Sequence, residues 1–279
     1  MIKVALPNKG QLFEPTMDIL AACGYKVSKS LRSLSTLDGE NGVEFFFLRP
    51  GDIPMYVSNG IIDAGITGMD FVAEKGVNPS KLLELNYGAS KLCAAVPQNS
   101  PVRSLDELKT SRIATSFPNI VGKFFGGHDK LVELEGAVEI SVKLGIADAV
   151  VDIVETGTTL VQAGLRIVGE PLFVSRSALF AHTGRENQAE VVVLKNRLEG
   201  KLVALEYMMV EYDAPKAVVD RAYDITPGVE APTVTPLQKP DWYSIKALVK
   251  RRESQKIMDE LSKLGCKGIL LTSIDSARI

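Results

Sequence analysis

The segment of this sequence with the clearest chemical character begins at Asp152. The apolar run 149–151 precedes it and predicts a buried strand that delivers the acid to its carboxyl end, where open α/β sheets bind ligands. A loop that combines an acid, a glycine and hydroxyl side chains follows before a predicted helix: Glu155, Thr156, Gly157, Thr158 and Thr159. Helix N-termini bind phosphate, whereas carboxylates accept hydrogen bonds from ribose hydroxyls or bind Mg²⁺. The segment predicts a ribose-phosphate site, and the alternative is a loop whose threonines only cap a helix.

Basic residues follow two other predicted strands, again at their carboxyl ends. Lys9 comes after the first strand and Arg49 after the second. A lysine can meet a phosphate as a point charge, and an arginine can bind it through two parallel hydrogen bonds. Each has an ordinary alternative, which is a solvated side chain for Lys9 and an ion pair with Asp52 for Arg49. Arg32 is a weaker candidate for the same role.

Two further acids could join this site. Glu139 stands among apolar neighbours, so it either lies on an exposed helix face or faces a cleft as a partner of ribose or of a metal ion. Asp70 is likewise either an exposed residue or one that faces a cleft as a partner of ribose or of a metal ion. The serines and cysteines show no nucleophile elbow, and neither histidine forms a recognisable dyad, so covalent catalysis is not supported.

The composition excludes several classes of protein. The chain has 279 residues, of which 46% are hydrophobic and 24% charged, as in ordinary globular proteins. Its formal net charge of −2 disfavours nucleic-acid binding by bulk electrostatics, and the basic run 246–252 is interpreted as a solvated face or a subunit contact. With 3 separated cysteines and 2 histidines, a zinc site is not expected. No signal peptide or membrane span is recognisable, so we expect a cytoplasmic protein.

The predicted elements alternate between strand and helix. Strands over 2–6, 43–48 and 63–68 alternate with helices, which indicates an α/β sheet covered on both faces. A second unit begins near Tyr87, and a strand over 171–179 returns the chain to the first. Helices are expected at 136–144 and 187–201, whereas the stretch 122–129 is too compact for a full helix plus strand.

A different pattern begins near residue 202. Its elements are predicted in the order β-α-β-β-α-β, the ferredoxin-like arrangement. The predicted strands cover 202–212, 229–237, 243–249 and 268–273, and the predicted helices cover 215–223 and 253–264.

Together these segments resemble the long form of the ATP phosphoribosyltransferase family. The resemblance spans essentially the whole chain, and each motif is weak alone but specific when all occur in order before a ferredoxin-like tail. The motifs are VALPNKG at 4–10, VEFFFLRP at 43–50, DAGITG at 63–68, EGAVEISVKLG at 135–145 and AVVDIVETGTTL at 149–160.

The resemblance implies a fold, a domain arrangement and a reaction. Two periplasmic-binding-protein-like catalytic domains would flank a cleft, with a ferredoxin-like regulatory domain at the C-terminus. The implied boundaries are 1–88 with 183–205, then 89–182, then 206–279. The enzyme would transfer the phosphoribosyl group of 5-phosphoribosyl 1-pyrophosphate (PRPP) to N1 of ATP and release pyrophosphate, with Mg²⁺ as cofactor. Feedback inhibition by histidine and a homo-hexamer, with dimers also possible, are implied as well.

The resemblance also implies roles for individual residues. Those expected to act in catalysis are Lys9, Arg49, Glu139 and Asp152. PRPP would bind Asp152, Glu155, Thr156, Gly157, Thr158 and Thr159. ATP would bind Lys9, Arg32, Arg49 and Asp70. The regulatory histidine would bind Asp213, Thr233, Leu248 and Gly268, whereas the ligands of Mg²⁺ are unknown and are expected to be largely PRPP and pyrophosphate oxygens.

Three other interpretations compete with this one. A two-domain solute-binding protein or sensor would have the same kind of crossover chain, but a secretion signal would be expected and the ribose-phosphate loop would have no purpose. A phosphoribosyltransferase acting on another base, such as a purine, differs only in its product. A purely regulatory or scaffold protein would tolerate the loss of Asp152 or Thr159.

Overall fold

In the computed structural model the chain divides into two compact units. The structure describes residues 1–28, 33–127, 129–154 and 157–279. The first unit comprises Met1–Asp18 and Lys26–Val192, and the second comprises Ile19–Tyr25 and Val193–Ile279. Two helices, α1 (Phe13–Ala22) and α7 (Ala189–Glu206), contribute residues to both units.

The first unit contains a six-stranded sheet, which we call the first lobe together with its helices. Its strand order is β2-β3-β1-β4-β11-β5. The strands are β1 (Ile2–Pro7), β2 (Ser35–Asp38), β3 (Val43–Leu48), β4 (Ala64–Gly68), β5 (Ser80–Glu84) and β11 (Ser177–Ala181). Helices α2 (Ile53–Ser58) and α3 (Met69–Lys75) follow β3 and β4. β3 and β4 both run parallel to β1, whereas β2, on the outer edge of β3, is antiparallel to it.

β3 carries apolar residues on both of its faces, and other parts of the lobe pack against each face. Its odd positions Val43, Phe45 and Phe47 are buried. On the other face, Phe46 and Leu48 pack against the cluster that contains Ile53 and Val57 of α2. The nearly continuous apolar run therefore has the environment predicted for it.

A five-stranded sheet forms the second lobe of the same unit. Its strand order is β10-β6-β9-β7-β8. The strands are β6 (Ser90–Pro97), β7 (Ile113–Thr115), β8 (Leu131–Glu133), β9 (Ala149–Val154) and β10 (Leu165–Ser175). Its helices are α4 (Pro118–Phe124), α5 (Ile140–Lys143) and α6 (Thr158–Gln162). β7 runs parallel to both β8 and β9.

The chain passes between the two lobes at two neighbouring points. It enters the second lobe after Leu85 and returns before Ser177. The N–H of Leu85 donates to the carbonyl of Ser177 over 2.9 Å. The Ser177 hydroxyl donates to the carbonyl of Tyr87 over 2.7 Å, so the two crossings are hydrogen-bonded to each other.

The second unit contains a four-stranded antiparallel sheet in the order β13-β14-β12-β15. Its elements follow as β12 (Tyr207–Pro215), α8 (Val219–Ile225), β13 (Thr233–Pro236), β14 (Trp242–Lys250), α9 (Ser254–Leu264) and β15 (Lys267–Ser273). This confirms the predicted β-α-β-β-α-β order. Tyr212 is buried, and its hydroxyl lies 2.7 Å from Thr226 Oγ1.

With this tail, the two mixed sheets of the first unit confirm the predicted fold class. The predicted domain boundaries remain predictions. β11 lies within the range 89–182 that was predicted for the second catalytic domain, and it pairs with β4 and β5 in the first lobe.

Two predicted elements were wrong, one because of a close packing contact and the other because of the local backbone conformation. Residues 202–206 continue helix α7 rather than begin a strand, since Gly200 does not end the helix. A Cβ at Gly200 would lie 2.8 Å from the carbonyl oxygen of Ala277, so the glycine allows the C-terminal segment to approach. The helix predicted over 136–144 shortens to α5, because φ is +100° at Gly136 and +49° at Ala137.

Other elements differ in extent. The strand predicted over 171–179 is divided between β10 and β11, because the chain changes sheets there. The compact stretch after Gly122 still holds the end of α4 and leads into β8, with Gly126 and Gly127 at positive φ in the turn. The strand predicted from Val229 begins at Thr233, after Pro232, which has no N–H for a ladder. Within the described residues, no helix is long and apolar enough to cross a membrane.

Gly65→Ala tests how closely α2 approaches the first sheet. A Cβ at Gly65 would lie 2.7 Å from Ile53 Cγ2 and 3.0 Å from Val57 Cγ2. We expect overpacking to lower the free energy of unfolding by about 1–3 kcal/mol, measured by urea denaturation. Gly39→Ala is the matched control, since no atom lies within 4 Å of its Cβ position. Equal stability of the two variants would contradict the close approach.

Candidate active site

The carboxyl ends of β7, β8 and β9 meet at one edge of the second lobe. Ile113 of β7 is in register with Leu131 of β8 and with Ala149 of β9. The parallel pairing brings Ser116, which follows β7, beside Asp152 near the end of β9. The Ser116 hydroxyl donates to Asp152 Oδ1 over 3.1 Å. The predicted delivery of Asp152 to this edge is confirmed.

Asp152 is a half-buried acid held by two hydrogen bonds. Besides Ser116, the backbone N–H of Ile153 donates to its Oδ1 over 2.8 Å. Burial raises the pKa of Asp152, the two hydrogen bonds lower it, and the charge of Glu139 raises it further. Glu139, immediately before α5, is therefore near enough to interact with Asp152. Of the two possibilities for Glu139, this proximity favours the one that faces the site.

The loop after β9 begins helix α6 through a glycine. Gly157 has φ +76°, in the left-handed region that favours glycine, and is the N-cap of α6. Thr158 and Thr159 are exposed on the first turn, and the buried Leu160 anchors the helix to the lobe. The first turn of a helix carries N–H groups that the helix itself does not use. Glu155 and Thr156, which complete the predicted loop, lie outside the described residues.

A cavity of about 240 Å³ joins this edge to the first lobe. Its lining combines a cation, an acid, glycines and apolar side chains: Lys9, Gly10, Gln11, Leu12, Pro50, Gly68, Asp70, Phe71, Gly88, Ser90 and Ile153. Ile153 lies on β9 and Ser90 on β6, so the cavity extends from the second lobe to the residues that follow β1 and β4. Asp152, the residue before Ile153, does not line it, because successive side chains of a strand lie on opposite faces. The structure thus brings Lys9 and Asp70 together with the β9 edge.

Arg49 reaches the same edge of the first sheet as Lys9. Because β1 and β3 are parallel, with Pro7 in register with Leu48, the residues that follow them leave the sheet side by side. Arg49 is exposed, and its neighbour Pro50 lines the cavity. Among the described side chains, no ion pair joins Arg49 to Asp52. Arg32 lies outside the described residues.

Asp70 is a buried acid, with 5% of its surface exposed. The Ser175 hydroxyl donates to Asp70 Oδ1 over 2.8 Å, which ties the start of α3 to the strand that leaves the second lobe. Burial raises the pKa of Asp70, and its hydrogen bonds act against that rise. Gly68 has no room for a side chain, since a Cβ there would lie 2.1 Å from Asp70 Oδ1.

The residues predicted for the regulatory site all lie on the sheet of the second unit. Asp213 on β12 is in register with Ser244 and with Lys267. Gly268, at φ +57°, lies beside Asp213, because a Cβ there would be 3.5 Å from Asp213 Oδ2. Thr233 is exposed on edge strand β13.

Leu248 on β14 lies opposite Met209, farther along the sheet than Asp213. Asp213 and Leu248 alternate with core residues such as Tyr212 and Val249, so they belong to the sheet face that turns away from that core. The structure brings Asp213 and Gly268 into contact. The basic run after Lys246 includes exposed ion pairs, such as Lys246 with Glu211 at 3.1 Å, as expected of a solvated face.

Three residues that hold these acids or their neighbours were not among those predicted from the sequence: Ser116, Glu74 and Ser175. A signal for Ser116 was present, since it directly follows the short apolar segment Ile113-Ala114, much as Asp152 follows the apolar run 149–151. Glu74 and Ser175 had no comparable signal, because their partners Asn119 and Asp70 are distant in the chain.

Comparisons with known proteins cover the whole chain. The family model described as ATP phosphoribosyltransferase (HisG) matches residues 49–200, and the model of the HisG C-terminal domain matches residues 204–276. The ATP phosphoribosyltransferase of Arthrobacter sp. (strain FB24) is 43% identical over 287 residues, covering 100% of both chains. That of Corynebacterium jeikeium (strain K411) is 43% identical over 282 residues with the same coverage. A chain of the ATP phosphoribosyl transferase (HisG:HisZ) complex from Thermotoga maritima is 30% identical, with a TM-score of 0.62, covering 71% of this chain and 96% of that one.

Asp152→Asn tests whether the ionised carboxylate of Asp152 lowers the stability of the folded protein. Because burial raises the pKa of Asp152, the folded protein binds the proton more tightly than the unfolded chain, so stability falls as pH rises through that interval. We expect the variant to unfold at a higher temperature than the parent at pH 7. The gain should shrink as pH falls through the raised pKa.

The control is Asp259→Asn, at an exposed position on α9. Thermal unfolding of the three proteins between pH 4 and pH 8 gives the comparison. A less stable Asp152→Asn variant at neutral pH would contradict the expectation.

Proposed function

Because this chain belongs to the ATP phosphoribosyltransferase family, in its long form, we propose how its residues serve the two substrates. The family is a group of pentosyltransferases that use ATP and PRPP in the first step of histidine biosynthesis. This membership excludes the solute-binding and scaffold interpretations. It also identifies the adenine of ATP, rather than another base, as the acceptor of the phosphoribosyl group. The proposals concern the binding residues, the metal ion, the regulation and the assembly.

One observation carries the assignment of the active site. The cavity lined by Lys9 and Asp70 of the first lobe is also lined by Ile153, the neighbour of Asp152. The cationic loop after β1 therefore opens toward β9, the strand that carries Asp152 and leads into the threonine loop. This arrangement supports a site in which a ribose phosphate and a second polyanion lie side by side.

PRPP binds the edge of the second lobe. Its 5′-phosphate lies on the loop 155–159, where the threonine hydroxyls and the N–H groups at the start of α6 donate hydrogen bonds. Its ribose hydroxyls donate to Asp152 and Glu139, since a carboxylate accepts such bonds but repels a phosphate. The exposure of Thr158 and Thr159 supports this orientation.

ATP and the departing pyrophosphate use the cationic loops of the first lobe. The lone pair of adenine N1 attacks C1 of the ribose as the bond from C1 to the pyrophosphate oxygen breaks, so no general base is required. Lys9 and Arg49 stabilise the negative charge that develops on pyrophosphate. Arg32 and Asp70 complete the residues assigned to ATP, with Asp70 available to accept a hydrogen bond at the cavity wall.

Mg²⁺ fits this site as an ion shared with the substrate. Within the described ranges, no three His, Cys, Asp or Glu side chains are grouped to hold a metal ion. Asp152 and Glu139 interact as like charges, and a cation between them and PRPP oxygens would relieve that repulsion. When bound, Mg²⁺ offsets the charge of the pyrophosphate group.

The second unit is the regulatory domain, and its ligand is histidine. Asp213 holds the positive groups of the amino acid, Thr233 donates or accepts a hydrogen bond, and Leu248 supplies apolar contact. Gly268 leaves space beside the Asp213 carboxylate, which supports this location. We place domain boundaries near 88, 182 and 205, and we propose a homo-hexamer that can also exist as dimers.

Thr158→Ala combined with Thr159→Ala tests the phosphate site. The loss of hydrogen bonds to a charged phosphate should raise the KM for PRPP by about 10- to 100-fold and leave the KM for ATP unchanged. Release of pyrophosphate from ATP and PRPP with Mg²⁺ is the assay. Thr110→Ala, on an exposed surface of the same lobe, is the control. An unchanged KM for PRPP in the double variant would refute the assignment.

Asp213→Asn tests the regulatory site in the same assay. Without the negative charge, we expect inhibition by L-histidine to weaken by about tenfold or more, with turnover in its absence preserved. Asp224→Asn, exposed on α8, is the matched control. Parent-like inhibition of the Asp213 variant, or a parent enzyme that histidine does not inhibit, would contradict the proposal.

A further inference from the structure

Hydrogen bonds join Asp152 to Ser116, and the segment that follows Ser116 is hydrogen-bonded to the first lobe. Both bonds that the described residues make to its carboxylate fall on Oδ1, from the Ser116 hydroxyl at 3.1 Å and from the Ile153 N–H at 2.8 Å. Because both donors bind the same oxygen, rotation of the carboxylate would break at least one of these bonds. Oδ2 is thereby kept in a fixed direction as the acceptor for a ligand.

Ser116 lies between two residues that burial and a hydrogen bond hold in place. It follows the buried Thr115, whose Oγ1 accepts the N–H of Phe117 over 2.9 Å. Phe117 is buried and lies with its ring centroid 5.9 Å from that of Phe71 on α3. A serine between two fixed neighbours can direct its hydroxyl with small entropic cost.

Glu74 fastens the following helix to the first lobe. Its side chain, on α3, is 9% exposed and accepts the N–H groups of Asn119 at 2.9 Å and Ile120 at 3.0 Å. The Asn119 side-chain amide donates to the Glu74 carbonyl over 3.0 Å. A carboxylate that takes two N–H groups in the first turn of a helix satisfies donors that the helix cannot use. The position of α4, and of Ser116 just before it, therefore depends on a residue of the first lobe.

We propose that Ser116 is a positioning residue that directs the Asp152 carboxylate toward the ribose of PRPP, and that Glu74 maintains its position. The inference rests on the proposed role of Asp152 in binding PRPP. Ser116 does not touch the reacting atoms; it determines which oxygen of the acid meets them. Glu74 acts one step farther away, through the backbone of residues 117–120.

Ser116→Ala is the first test, in the pyrophosphate-release assay with the full chain. The loss of one bond to a carboxylate should raise the KM for PRPP about tenfold, while the KM for ATP stays within about twofold. Ser116→Thr keeps a hydroxyl at the same Cβ and should restore most of the affinity. The control is Ser111→Ala, in the same lobe, whose side chain makes no hydrogen bond to another described residue. A general loss of folding would affect both substrates and would not be rescued by threonine.

Coupling between the two positioning residues is the second test. Glu74→Gln keeps the size of the side chain but replaces one acceptor oxygen by an amide NH2 group. One of the two backbone N–H groups then faces a donor instead of an acceptor. If both residues act through Asp152, Glu74→Gln with Ser116→Ala should raise the KM for PRPP by less than the product of the single effects. Independent multiplication of the two effects would overturn the role of Glu74.

Asp152→Asn separates the failure of this inference from the failure of the assigned function. If Asp152→Asn raises the KM for PRPP and Ser116→Ala does not, Asp152 keeps its role and the positioning role of Ser116 is refuted. If Asp152→Asn leaves the kinetics unchanged, the assignment of PRPP to Asp152 is refuted, and the positioning role falls with it.

Discussion

The parallel pairing of strands determines where the functional groups of this protein can meet. β1 runs beside β3 and β7 beside β9, so the residues that follow each strand leave the sheet at the same edge as those that follow its neighbour. Lys9 and Arg49 leave one such edge, whereas Ser116 and Asp152 leave the other. Loops and short helices then need only hold residues that the sheets have already brought together. A shift of one register position would separate each pair and turn alternate side chains to the opposite face.

Each lobe holds an acid that accepts a hydrogen bond from a serine of a different element. Ser175 donates to Asp70 at 2.8 Å and Ser116 donates to Asp152 at 3.1 Å. Burial raises the pKa of both acids, so each ionised carboxylate costs stability that the hydrogen bonds offset only in part. Apolar side chains would fill these positions more favourably. Such a cost is typical of functional sites, where binding chemistry takes precedence over packing.

Much of this architecture follows from short-range signals in the sequence. The strand before Asp152, the strand 43–48 and the β-α-β-β-α-β order of the tail could be predicted because apolar periodicity and turn residues act locally. Two of the misjudged elements depend on distant contacts: Gly200 resembles a helix end until Ala277 approaches it, and the strand predicted over 171–179 is divided because the chain changes sheets there. Glu74 was missed for the same reason, since its partner Asn119 is 45 residues away. Local patterns thus predict which groups reach the site, whereas the residues that hold them in place appear only in three dimensions.

The hydrogen bonds between the two crossings bear on how this chain could have evolved. Leu85 and Ser177 are joined over 2.9 Å, so everything between them leaves and returns at almost the same point. A segment whose ends meet can be inserted or exchanged without stretching its host, as in domain insertion. The half of the site that carries Asp152 and the threonine loop is therefore a module in the evolutionary sense. Under the proposed assignment, replacing this segment would change the groups offered to the sugar-phosphate donor, while the host lobe kept its cationic loops and its own sheet.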